Sequence, residues 1–207
     1  MTFDELLAQI RDFYLRHLRE AMAEVRKDPT AKIVAEPVLR DADGDVIGEG
    51  ALELPKRADV AVLRGGKVAD SFQVTAEHDL ALKPFTFPWT GGAQVTVGPF
   101  RWEECHFRLP GVGKDANVKP LADWFFAWFD QDDERGLYYS ELQGVVHSMT
   151  DPAFADGAAT FTIDFGSAPA DVFEYLLDAI EQVGAKTIQI GNVNQSGEQQ
   201  GNGQGQP

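Results

Sequence analysis

The sequence predicts an α+β fold: an N-terminal amphipathic helix, an antiparallel β-meander of about six strands, then a helix and a β-β-α-β unit, packed as one two-layer domain. Three observations carry this. Apolar residues recur at helical spacing in three separate segments. Between the first two of these segments the period falls to two, and Gly-rich turns cut the strands short. The chain of 207 residues is long enough to bury a core without disulfide staples.

The first helix opens on a capping box, Thr2 with Glu5. Phe3, Leu6, Leu7, Ile10, Phe13, Tyr14, Leu18, Met22 and Val25 then repeat at helical spacing until Asp28 and Pro29 end the run. Strands are expected over 33–39 and 46–54, flanking the turn 41–45, then over 60–64 and 67–77 across Gly65 and Gly66. Residues 85–89 carry Pro84 and Pro88, which confine them to a sheet edge, and Gly91 and Gly92 turn the chain into 94–97.

The segment 100–109 alternates, but its apolar parity switches at Glu103 and Glu104, so a β-bulge or cover on both faces is expected there. A second helix follows Asn117 and Pro120, with Leu121, Trp124, Phe125, Trp128 and Phe129 on one buried stripe. Residues 142–149 and 159–165 read as strands. Ser167, Pro169 and Asp171 then introduce a third helix through Val172, Phe173, Leu176, Leu177, Ile180 and Val183, ended by Gly184. Residues 187–190 complete a crossover unit that lays them parallel to 159–165. One domain over 1–190 is the simplest division, with a sub-boundary near residue 112 as the alternative; 191–207, rich in Gly, Gln and Asn, reads as a disordered tail.

Charge narrows the function classes. The formal charge is −15, which disfavours nucleic acid and anionic membrane as direct ligands, since phosphate binding depends on Lys and Arg. Between residues 130 and 183 twelve acids face Arg135 alone, and such a field speeds encounter with a basic partner. Asp130, Asp132, Asp133 and Glu134 crowd the C-terminal end of the second helix, where the helix dipole favours cations, so helix energetics did not select them. They are the candidate partner-binding residues. The lone Cys105 excludes an internal disulfide, and a cytoplasmic location is expected.

Metal and catalytic signals are weaker. Asp41, Asp43 and Asp45 resemble the opening of an EF-hand calcium loop, but Val46 stands where that loop needs glycine and Leu52 where it needs glutamate. Glu104, Cys105, His106 and His147, with Glu103, are the catalytic candidates, as a metal site or a Cys-His nucleophile. Neighbouring strand residues point to opposite faces, so Cys105 and His106 converge only through a bulge. No cofactor motif is present: the glycine at 166 lacks the spacing and the lysine of a phosphate loop. The first expectation is a protein-binding module for a basic partner, of inhibitor or immunity type by composition. The second is a hydrolase or metal-dependent enzyme on the 103–106 segment.

Overall fold

A computed structural model describes residues 2–76, 82–134 and 141–192. The chain runs α1 (Phe3–Val25), β1 (Lys32–Ala35), β2 (Gly48–Glu49), β3 (Leu54–Pro55), β4 (Val60–Arg64), β5 (Lys67–Phe72), β6 (Phe85–Pro88), β7 (Gln94–Val97) and β8 (Cys105–Pro110). There follow α2 (Lys119–Phe129), β9 (Ser148–Met149), β10 (Ala153–Ala155), β11 (Ala158–Asp164), α3 (Val172–Gln182) and β12 (Thr187–Ile190). The fold is α+β, as the sequence implies. Residues 193–207, most of the expected tail, lie outside the described residues, while Gly191 and Asn192 still donate backbone hydrogen bonds to His106 and Pro99.

The meander strands divide among three sheets, in place of one continuous meander. β1, β4 and β5 form a small antiparallel sheet, and β2 pairs with β3 as a separate ribbon. β6 and β7 instead join the large sheet, whose order is β10-β11-β8-β12-β7-β6, with β9 on β11. β12 sits between β8 and β7, antiparallel to the first and parallel to the second. It therefore runs in the same direction as β11, as a crossover requires, but with β8 inserted between them.

One face of the large sheet carries Cys105, Phe107 and Leu109 from β8, Phe161 and Ile163 from β11, Val95 and Val97 from β7, and Ile188 and Ile190 from β12, all buried. α3 supplies the keystone of this face. The Phe173 ring lies 5.0 Å from Phe165, 5.7 Å from Phe107 and from Phe3, and 5.8 Å from Phe100, within the distances at which aromatic pairs attract. α2 packs on α3: the Trp124 indole donates to the Val172 carbonyl at 3.1 Å, which satisfies its polar edge inside the core. Of the expected α2 stripe, Leu121, Trp124, Phe125 and Phe129 are buried and Trp128 is half-buried. The other face of the sheet carries His106, Thr160 and Thr162 to solvent.

Local signals behave as their chemistry dictates at the helix starts. Thr2 and Glu5 make both hydrogen bonds of the capping box. Asn117 accepts from the Lys119 N–H at 3.1 Å, one residue ahead of the Val118 cap. Four expected strands are interrupted or cut short: the 46–54 strand turns back at 50–53, so that Gly48–Glu49 pairs with Leu54–Pro55, and the 67–77 strand is regular only to Phe72. The 33–39 strand stops at Glu36, whose φ of 54° is a left-handed conformation costly for a side-chain-bearing residue. The 142–149 strand is regular only at Ser148 and Met149. At 101–104 the chain makes a tight turn, bridged between Arg101 and Glu104, in place of a bulge.

Truncating Phe173 to Ala removes the ring that five other aromatic rings approach, counting Trp102 at 6.3 Å. We expect a loss of about 3–5 kcal/mol in unfolding free energy, read as a lower urea midpoint at unchanged m-value.

Candidate functional site

The interruption at Glu36 has a cause on the other side of the core. Its backbone turns the carboxylate inward, where Oε1 lies 2.8 Å from His147 Nε2 and accepts from the Ser167 N–H at 3.1 Å. Its second oxygen accepts from the Gln143 N–H. The other ring nitrogen, His147 Nδ1, lies 2.7 Å from Asp59 Oδ1, and Asp164 Oδ2 is 3.7 Å away from the same atom. Glu36, Asp59, His147 and Ser167 are each fully buried.

Four chain segments meet here. Glu36 follows β1, Asp59 precedes β4, Asp164 ends β11, and His147 is held between the two sheets by its N–H to the Asp164 carbonyl at 2.9 Å and its carbonyl to the Arg57 N–H at 2.9 Å. Gly166 makes room for the ring. A Cβ there would come within 2.2 Å of His147 Cδ2, and its φ of 52° is one that glycine adopts freely.

The electrostatics follow from burial and crowding. Burial disfavours a charged imidazole, yet Asp164, Asp59 and Glu36 together raise the His147 pKa well above its usual value, which favours the imidazolium, the form able to donate through both nitrogens. Burial pushes Glu36 upward, but its hydrogen bond to His147 and the imidazolium charge reverse this, and its pKa ends below the usual carboxylate range. Asp164 stands farther from the ring, and its Oδ1 accepts from the Gly166 N–H at 2.9 Å. Burial, with the nearby Asp59 opposing the imidazolium, pushes it up to about 7. Tyr14 from α1 is also fully buried, and its phenol is raised well above normal first by burial and then by Asp164, Asp59 and Glu36.

The residues named from sequence are scattered around this centre. Cys105 is buried in the apolar face, and burial raises its thiol well above the normal range. His106 points to the exposed face, with Nδ1 2.8 Å from the Thr162 hydroxyl. Glu104 pairs with Arg101. Glu103 turns inward: Oε1 accepts from the Ala76 N–H at 2.7 Å while Oε2 is buried with no hydrogen-bond partner. The structure thus separates Cys105 from His106 and from His147, whose two nitrogens are engaged with Glu36 and Asp59.

The acidic end of α2 forms a second assembly. Asp130 and Asp133 both have positive φ, 54° and 56°. The turn is pinned by Arg57, fully buried, which donates to the carbonyls of Phe129, Asp130 and Glu36, to Gln143 Oε1, and to Asp133 Oδ1 at 2.8 Å. Asp132 and Glu134 remain exposed. Arg40 joins this turn to the 41–45 turn, donating to Gly44 O at 3.1 Å and to Gln131 O at 3.3 Å. Within the 41–45 turn, Asp41 Oδ1 accepts from the N–H groups of Asp43 and Asp45, while Asp43 and Asp45 face solvent. Beside both turns lies a hollow of about 530 Å³ lined by Val46, Leu52, Glu53, Pro55, Phe126 and Gln131.

The chain matches no protein-family model, and no curated protein or solved structure matches it either. Its function must be read from these residues alone. Sequence reasoning missed Glu36, Asp59, Asp164 and Tyr14. The available signal was an acid adjoining an apolar strand: Glu36 after Ile33–Ala35, Asp59 before Val60, Asp164 after Ile163. Each falls at a strand end, where a polar residue ordinarily signifies solvent.

His147→Ala would leave Glu36, Asp59 and Asp164 buried without their shared imidazolium. A loss of about 3–5 kcal/mol is expected, the cost of stripping one partner from a buried charge cluster, and Gly166→Ala should lower the denaturation midpoint in the same direction by displacing the ring.

Proposed function

We propose that this protein is a binding module for a basic protein partner, engaged through the acidic corner formed by the 41–45 and 130–134 turns. The observation that supports it is their convergence: Arg40 ties together two acidic turns about ninety residues apart in sequence. Asp43, Asp45, Asp132 and Glu134 are all exposed there. The adjacent hollow, whose lining is mostly polar, includes the Phe126 ring, 41 % exposed. A rim of carboxylates beside a largely polar hollow with one exposed aromatic ring suits a surface that presents Lys or Arg.

Preorganisation supports the reading as well. Holding Asp130 and Asp133 at positive φ costs free energy that the buried Arg57 offsets through five acceptors, so the turn's shape is fixed before any partner arrives. An inhibitor or immunity-type role, in which the corner covers a cationic site on an enzyme, falls within this class.

The test is capture from native lysate on the tagged full chain, eluted by rising salt, followed by association kinetics with the recovered protein. A basic partner released as salt rises is expected, because exposed charge pairs are screened. The double variant Asp132→Asn, Glu134→Gln should slow its association roughly tenfold at low salt and flatten the salt dependence. Unchanged kinetics in that variant would overturn the assignment of this corner. Asp133 is left intact in this variant because it neutralises Arg57.

A further inference from the structure

We propose that Asp59, His147 and Asp164 form a site for a divalent metal ion that fastens the small sheet to the large one. One imidazole nitrogen and one oxygen from each carboxylate lie within 4.8 Å of one another. Ligand atoms bound at about 2.0–2.2 Å to one ion stand roughly 3–4.4 Å apart, so small side-chain adjustments enclose a cation among the three. His147 Nδ1 is the ligand nitrogen. The opposite nitrogen, Nε2, faces Glu36 Oε1 at 2.8 Å, the carboxylate-to-histidine contact that orients a metal-bound imidazole and raises its basicity. On binding, the ion takes the place of the Nδ1 proton that otherwise points at Asp59.

Two further buried polar groups are turned toward the cluster. The Tyr14 hydroxyl is completely buried beside Asp59, Asp164 and Glu36, and although the Asp59 carboxylate is near enough to act on it, it makes no hydrogen bond of normal geometry. Such an orphan is rare, and it is positioned to donate to a metal-bound carboxylate or to ligate directly. Glu103 Oε2 is likewise buried and unpartnered, close enough for Asp59 and Asp164 to feel its charge.

The charge count agrees. Three carboxylates, those of Glu36, Asp59 and Asp164, face one imidazole, and Glu103, which Arg101 also approaches, lies near enough to Asp59 and Asp164 to interact with both. Arg57, the other fully buried cation among the described residues, aims its donors at Phe129, Glu36 O, Gln143, Asp130 and Asp133 and at none of these carboxylates. A dication would favour the ionised carboxylate of Asp164, which burial otherwise pushes up to about 7. Mixed nitrogen and carboxylate donors suit Zn²⁺ or Mn²⁺ better than Ca²⁺, which takes oxygen alone. Enclosure of the site makes the role structural: the ion would join the residue before β4, the end of β11 and the segment leading to β9.

The experiment treats the purified full chain with chelator, removes the chelator, and titrates Zn²⁺ and then Mn²⁺ by calorimetry and thermal unfolding. One ion per chain is expected, with Tm rising roughly 5–10 °C at a hundredfold excess over Kd. Asp164→Asn should weaken binding at least tenfold, whereas the surface variant Asp41→Asn, Asp43→Asn, Asp45→Asn should leave it unchanged. Should Asp164→Asn fail to fold, ¹⁵N-histidine NMR of the wild-type chain reads ligation directly through a shift of the His147 Nδ1 resonance on adding Zn²⁺. No stoichiometric ion, an unmoved His147 resonance, or binding abolished by the surface variant would each overturn the proposal.

Discussion

The imidazole of His147, clamped between Glu36 and Asp59 with no access to water, is the contact on which the two sheets depend. Removing charges from solvent is costly, and the cost is recovered only if geometry and hydrogen bonds are nearly complete. That requirement propagates outward. Glu36 adopts a left-handed backbone to aim its carboxylate, Gly166 forgoes a side chain to admit the ring, and Ser167 spends its N–H on Glu36 while its hydroxyl accepts from Gly144. Ser167 therefore does not cap α3, whose N-terminus at Asp171 has no side-chain cap. The network has outbid local helix energetics for that residue.

Around this polar centre the core is otherwise dry and aromatic. Phe107 and Phe161 face each other directly across β8 and β11, with ring planes 6° apart, and α3 drops Phe173 onto that pair's edge of the sheet. The apolar packing explains why the polar cluster is stable where it sits: the surrounding low-dielectric atoms strengthen each contact that is made and penalise each that is not. The same medium raises the Cys105 thiol, so a residue that reads as reactive chemistry in sequence behaves as a small core side chain.

Arg57 links the buried centre to the surface. Its backbone N–H holds the His147 carbonyl, while its guanidinium fixes the turn that ends α2. The acids at the end of that helix are thereby of two kinds. Asp133 answers an interior cation, and Asp132 and Glu134 face solvent, beside the 41–45 turn that Arg40 brings near. No helix among the described residues is long and apolar enough to cross a membrane.

By itself the sequence determined the elements whose cause is local. Helix α1 follows from its capping box and its apolar stripe, α2 from Pro120 and its aromatic spacing, and α3 from a stripe ended by Gly184, because each depends on residues within a few turns of one another. Strand 158–164 was legible from the alternation of Phe161 and Ile163 with threonines. The strand breaks at Glu36 and before Ser148 were not, nor was the union of Glu36, Asp59, His147 and Asp164, since those side chains are brought together from positions 36 to 164. An acid at a strand end has the same local pattern whether it meets water or a buried histidine. Only the tertiary structure, by deciding which strand ends are covered, separates the two.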